Sequence, residues 1–142
     1  LYNIDIIINS LYEIKNKGYL FKCMFSYGPE SSYIKELKKR IKEYKLESNI
    51  IWLDLLTHSE MAKHYCLSDV IISIPSSDSS PRSVYEAAFC KKPIITSDIK
   101  WTYEFFGNDS SLIRVPVRNQ DSLTNLLIEF MDATVFPKTS WR

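Results

Sequence analysis

Apolar residues recur along this chain with two alternating periods, and the alternation sketches its elements. Ile4, Ile7, Ile8, Leu11 and Ile14 fall on one face of a helix, which Lys15, Lys17 and Gly18 close. Leu20 to Phe25 reads as a strand, with Ser26, Tyr27, Gly28 and Pro29 as its C-terminal turn. From Ser32 to Tyr44 the positions Ile34, Leu37, Ile41 and Tyr44 return to helical spacing. The other face carries Lys35, Lys38, Lys39, Arg40 and Lys42, but Glu36, Glu43 and Glu47 interrupt it, so it reads as a solvated face and not as a nucleic-acid stripe. Asn49 to Leu53 is the next strand, and Thr57 with Glu60 has the spacing of a capping box for a helix over His58 to Leu67.

The stretch from Asp69 to Ile99 organises the rest. Val70, Ile71, Ile72 and Ile74 form a short apolar run, as expected of a parallel strand covered on both faces, and Pro75 ends it. Ser76, Ser77, Asp78, Ser79 and Ser80 make a polar loop; Ser80 can cap, and Pro81 can open, a helix reaching Cys90 on the spacing of Val84, Tyr85, Ala88 and Phe89. Pro93 to Thr96 is a strand, Trp101 and Glu104 lie on a short helix ending at Gly107, and Leu112 to Val115 is a last strand. Leu123, Leu126, Leu127, Phe130 and Met131 mark a final helix, capped by Asn119 or Asp121 and ended by Pro137. Five strands alternating with helices predict an α/β fold, a Rossmann-like doubly wound parallel sheet with helices on both faces, in one domain spanning residues 1–142. In such folds sites form at the C-terminal ends of the strands.

Composition narrows the function classes without naming one. With 142 residues, 45% hydrophobic and 25% charged, the chain has the make-up of one soluble globular domain. A net charge of +1 gives no electrostatic pull toward nucleic acid or acidic membranes. No apolar run approaches a membrane span and no signal peptide opens the chain. Cys23, Cys66 and Cys90 each lie in or beside an apolar element, which predicts buried reduced thiols in a cytoplasmic protein. His58 and His64 do not share a helical face, and no cysteine or carboxylate completes a metal set with them.

The candidate chemistry sits after the central strand. Free N–H groups of Arg82, Ser83 and Val84, with the helix dipole, make an anion site suited to phosphate. Asp78 and Glu86 bracket it. Glu86 stands five residues, or roughly 7 Å, into the helix. An acid there is poorly suited to gripping phosphate but well suited to accepting hydrogen bonds from sugar hydroxyls, of which a nucleotide ribose is the obvious source.

Asp78, seven residues and then Glu86, after an apolar strand ending in Pro-Ser and before AAFCKKPII, resembles the acidic signature of retaining glycosyltransferases of the GT-B fold, in their family four. SSDSSPRS follows the variant of that family in which the first acid is Asp. The resemblance implies that Glu86 binds the donor ribose, Asp78 faces the transferred sugar, and loop and helix amides at Ser79, Ser80, Arg82 and Ser83 take the diphosphate. It further implies that Leu55, Leu56 and Thr57 offer backbone to the base, and that the turn at Gly28 borders the nucleotide. Glu60, Met61 and Tyr65, then Ser68 and Asp69, also match the family, as does Ser140-Trp141 near the end. Ser79 and Lys91 stand where the family usually has Gly, and Tyr27 where it has a small residue.

By this resemblance the chain is the C-terminal, donor-binding half of a two-domain enzyme, lacking the N-terminal acceptor domain and a first strand that is normally followed by an Arg and a Lys; Tyr2 sits near the place of that Lys. The donor would be a nucleotide diphosphate sugar, with no metal and no other cofactor. The acceptor would be a sugar or lipid-linked molecule reached through the missing domain, in polysaccharide or glycolipid synthesis, in a cytoplasmic enzyme whose missing half can hold it at the inner face of a membrane. The fragment alone would be inactive. The rivals are a GT-B nucleotide-sugar epimerase, which would lean on His and further acids; a glycoside hydrolase, whose two carboxylates would flank the scissile bond; and a non-catalytic phosphate-binding or receiver-type module. For the last, Asp54, Asp78 and Asp98 follow three different strands, and none is paired with another acid.

Overall fold

The computed structural model describes residues 2–26, 29–77 and 82–132. In chain order these form α1 (Ile4–Asn16), β1 (Cys23–Ser26), α2 (Ser32–Glu43), β2 (Ile50–Leu53), α3 (His58–Leu67), β3 (Ile71–Ser73), α4 (Arg82–Phe89), β4 (Ile94–Ser97), α5 (Lys100–Phe106), β5 (Leu112–Val115) and α6 (Gln120–Asp132). The alternation of strand and helix is as the sequence predicts, and every strand pair is parallel. Pro137, Ser140 and Trp141 lie outside the described residues.

The parallel strands and flanking helices of the expected α/β fold are present, and among the described residues the strands pair as two sheets. β1 pairs with β2, with Cys23 opposite Ile50 and Ser26 opposite Leu53. β3, β4 and β5 form a separate sheet in that order, Ile71 opposite Ile94 and Ile94 opposite Leu112. One core nevertheless spans both. Ile8, Leu11 and Ile14 of α1 pack with Phe25 and Ile50 from the first sheet, Ile95 and Val115 from the second, and Leu123, Leu127 and Phe130 of α6. On the opposite face of the second sheet a smaller core joins Tyr65, Val84, Ala87, Ile94, Trp101 and Leu112. Ile94 and Ile95 are both fully buried on opposite faces, which is why this strand reads as unbroken apolar sequence. Each such isoleucine contributes about 1.5–3 kcal/mol by leaving water.

Three helices end in the same way. After α1 the N–H of Gly18 bonds the Lys15 carbonyl and that of Tyr19 the Ile14 carbonyl. Lys45 and Leu46 repeat the pattern on Lys42 and Ile41 after α2, and Lys91 and Lys92 on Ala88 and Ala87 after α4. Each is a Schellman cap, whose first residue beyond the cap must be left-handed. Gly18 meets this without cost at φ 89°, whereas Lys45 and Lys91 adopt φ 55° and 56° with a Cβ present.

Two apolar residues fall outside the expected pattern. Phe89 is 88% exposed, because α4 turns Val84 and Ala87 inward and leaves its last residue on the solvent side. Cys66 is exposed too, and Cys23 and Cys90 are half-buried, so the three thiols do not form the buried set predicted.

Candidate functional site

The C-terminal ends of the strands are where α1, α3 and α4 begin, and three local devices fix that rim. At α3, Thr57 caps as its spacing predicts: the N–H of Glu60 donates to the Thr57 hydroxyl at 3.3 Å, and the N–H of Thr57 donates to Glu60 Oε2 at 2.7 Å. The Thr57 N–H and, at 3.0 Å, the Thr57 hydroxyl both donate to Glu60 Oε2 and favour the charged carboxylate, so Glu60 is held below the usual carboxylate range, the Thr57 N–H being the larger cause. At α1, Asn3 is buried and left-handed, and its side chain does not cap its own helix. It reaches across to β3 instead, donating to the Ile74 carbonyl at 2.8 Å and to Ser76 Oγ at 2.9 Å, while Oδ1 accepts from Arg118 at 2.6 Å. The start of the Ser-rich loop is thereby tied to the first helix.

The third device is Glu86 itself. It lies in the fifth position of α4, roughly 6 Å along the axis from Arg82. Tyr65 of α3 donates its hydroxyl to Glu86 Oε2 at 3.1 Å, and His58 Nδ1 lies 3.4 Å from Oε1. Tyr65 is buried, and that burial, reinforced by the Glu86 carboxylate, pushes its phenol up, so it remains a hydrogen-bond donor. Through His58, the residue after Thr57, the segment that follows β2 meets the acid that follows β3.

Of the residues singled out from sequence, Glu86, Arg82, Ser83, Leu55, Leu56 and Thr57 are described. Arg82 is exposed at the first turn of α4, where backbone N–H groups lack helical acceptors. Ser83 is half-buried, its hydroxyl 3.5 Å from that of Ser73. Leu55 is 80% exposed and Leu56 half-buried, beside the capping Thr57. Asp78, Ser79, Ser80 and Gly28 lie outside the described residues, as do Tyr27 and Pro81.

Two contacts at Glu86 escaped the sequence reading. His58 was an exposed histidine with no assigned partner, and nothing local pointed to an acid 28 residues on. Tyr65 did carry a signal: it falls one helical turn after Met61 on the inward face of α3, and a buried tyrosine hydroxyl usually has a partner. Beneath α4, Ser73, Thr96 and Arg114 stand in register across the second sheet. Arg114 is committed to Thr102 and to the Gly107 carbonyl, and the buried Thr96 hydroxyl has no partner among the described residues. Among the described residues no group of three His, Cys, Asp or Glu is placed to hold a metal ion, and no helix is long and apolar enough to cross a membrane.

The arrangement can hold an anion at the start of α4 and a polyhydroxylated group at Glu86. Comparison with known proteins bears on the family and the fold. Residues 2–139 match the family described as glycosyl transferases group 1. No curated protein matches by sequence. Among solved structures, sucrose-phosphate synthase from Thermosynechococcus elongatus superposes with a TM-score of 0.78 at 16% identity over 92% of this chain and 33% of its own. Anabaena HepE in complex with UDP gives 0.80 at 17% identity, over 99% and 38%. S. aureus TarM, crystallised with UDP among other ligands, gives 0.78 at 18% identity, over 93% and 26%. The chain thus spans about a third of the length of the proteins it resembles, and at such identities the likeness shows the fold, a Rossmann-like half of the GT-B architecture.

Proposed function

Since the chain belongs to the glycosyl transferases group 1 family, we propose that it is the donor-binding half of a retaining enzyme, one that moves a sugar from a nucleoside diphosphate to an acceptor held by a second domain. The observation that carries the reading is the Glu86 carboxylate, one turn inside α4, anchored by Tyr65 and facing the segment after β2. A carboxylate so placed suits the vicinal hydroxyls of a ribose, while the first turn of α4 suits the phosphates next to it.

In this reading Leu55, Leu56 and Thr57 offer backbone to the base, Glu86 accepts from the ribose, and the amides of Arg82 and Ser83, with Ser79 and Ser80, receive the diphosphate. Asp78 faces the transferred sugar, and Gly28 borders the nucleotide. As the bond from the sugar to the diphosphate breaks, negative charge grows on the departing oxygen. Fixed N–H groups and the dipole at the start of α4 oppose that charge without having to reorganise. The donor is the only small molecule this chemistry asks of the domain, with neither metal nor cofactor.

Two structural facts support the division into halves. The chain matches only about a third of each neighbour, and β1 and β3 each leave one edge unpaired among the described residues while sharing a core. One further parallel strand between those edges would make the sheet continuous, and the Arg and Lys that would follow it belong to the diphosphate site. The chain by itself is then inactive, and the acceptor enters through the other domain. A cytoplasmic setting, at a membrane surface or away from one, fits the free thiols. The epimerase and binding-module alternatives gain nothing from the family match.

Calorimetric titration with UDP, GDP, ADP and inorganic phosphate tests the reading. One nucleoside diphosphate should bind selectively, and Glu86→Ala should weaken it at least about tenfold, or about 1.4 kcal/mol. Binding indifferent to Glu86→Ala would remove the ribose assignment.

A further inference from the structure

The two oxygens of Glu86 have different surroundings. Oε2 is turned inward onto Tyr65, which is 7% exposed and belongs to the core that holds Val84, Ala87 and Trp101. Oε1 is turned outward to His58, whose side chain is 79% exposed. A glutamate reaching out from a helix has several rotamers to lose when it grips a ligand, and ordering them costs affinity. Here an immobile donor has already selected among them. The Tyr65 ring is fixed by the helices and sheet around it, and its phenol, pushed up by burial and by the carboxylate, keeps the proton it donates.

We propose that Tyr65 is a positioning residue for nucleotide binding. It touches no ligand; it holds Glu86 Oε2 so that Oε1 stands ready for the ribose hydroxyls, which displace His58 from that oxygen. The inference rests on the ribose reading of Glu86 and deepens it by assigning the group that preorganises the acid. It also explains why α3 and α4 meet through a polar bond at an otherwise apolar contact, where Met61, Tyr65, Val84 and Ala88 pack together.

A purely structural role would serve the α3 to α4 contact equally well, and a double-mutant cycle separates the two. Tyr65→Phe keeps the ring and removes only the donor. The full chain and its Tyr65→Phe, Glu86→Ala and doubly substituted variants are titrated with UDP and, separately, with inorganic pyrophosphate. The expected result is about a tenfold loss of UDP affinity in Tyr65→Phe, unchanged pyrophosphate affinity, and no further loss when Tyr65→Phe is added to Glu86→Ala. Equal losses for UDP and pyrophosphate, or additive effects of the two substitutions, would overturn the positioning role. So would a Tyr65→Phe protein that binds UDP as the parent does while Glu86→Ala fails to. Where the parent selects GDP or ADP, that nucleotide replaces UDP in the cycle; if Glu86→Ala costs nothing, or none of UDP, GDP and ADP binds, the ribose reading itself falls and the role of Tyr65 with it.

Discussion

Asn3 offers a sharp test of how the rim of the site is built. It is 2% exposed, sits at φ 54° and ψ 40°, and spends its amide on the Ile74 carbonyl at the end of β3. Substitution by Ala does two separable things. It leaves the buried Ile74 carbonyl without that partner, which costs about 1–3 kcal/mol, and it places an ordinary side chain in the left-handed region, which costs about 1 kcal/mol more. Arg118, whose side chain is 53% exposed and also pairs with Asp5 at 3.2 Å, can exchange its lost bond for water and adds little. Asn3→Ala should therefore lose about 3 kcal/mol, and Asn3→Gly, which shares the first cost but escapes the second, about 2 kcal/mol. Asn3→Asp keeps an acceptor for Arg118 but turns a carboxylate oxygen onto the Ile74 carbonyl, so it should be no better than Ala. Urea unfolding followed by circular dichroism at neutral pH measures all three. An Asn3→Ala protein within about 0.5 kcal/mol of the parent would show that the bond to Ile74 holds nothing in place. Equal losses for Ala and Gly would refute the backbone part of the reasoning.

Lys45→Gly and Lys91→Gly should each raise stability by on the order of 0.5–1 kcal/mol in the same assay, because relief at positive φ exceeds the extra freedom glycine gives the unfolded chain. Ile95→Ala, at a position fully buried between β4 and the larger core, should cost about 2–5 kcal/mol. Glu60 is held below its ordinary pKa when folded, so its contribution is present above the unfolded carboxylate pKa and is lost as pH falls through the folded value. Glu60→Gln should accordingly flatten the stability profile between about pH 5 and pH 3, and an unchanged slope would count against the capping box. A thiol reagent at mild alkaline pH should label exposed Cys66 first and spare Cys23, whose thiol burial pushes up to about 12.

Much of this architecture was legible in one dimension. The 3.6-residue recurrence of Ile7, Leu11 and Ile14 and the Thr57 to Glu60 spacing are local patterns that mean the same thing wherever they occur, and both helices formed as read. The last strand, Leu112–Val115, and α3 kept their predicted bounds. Strand ends moved by a residue or more where the run was apolar but its partner short: Leu20 is 93% exposed because β1 begins only where Cys23 finds Ile50. Phe89 misled because a helical period does not say where a buried face stops. Around Glu86, the sequence placed the acid in the first turns of the helix that follows β3, and α4 has it there, since strand, loop and helix follow one another within a few residues.

The sequence by itself determined the alternation of elements, the Thr57 cap and the place of Glu86 in the helix after β3, because those depend on residues within a few positions of one another. Only the tertiary structure decided that the strands divide into two sheets around one core, that Asn3 serves β3 and not its own helix, and that Glu86 stands between Tyr65 and His58. Each of these joins residues about 20 to 70 positions apart, and it is the packing of helices on sheets, with no local pattern to announce it, that brings such partners together.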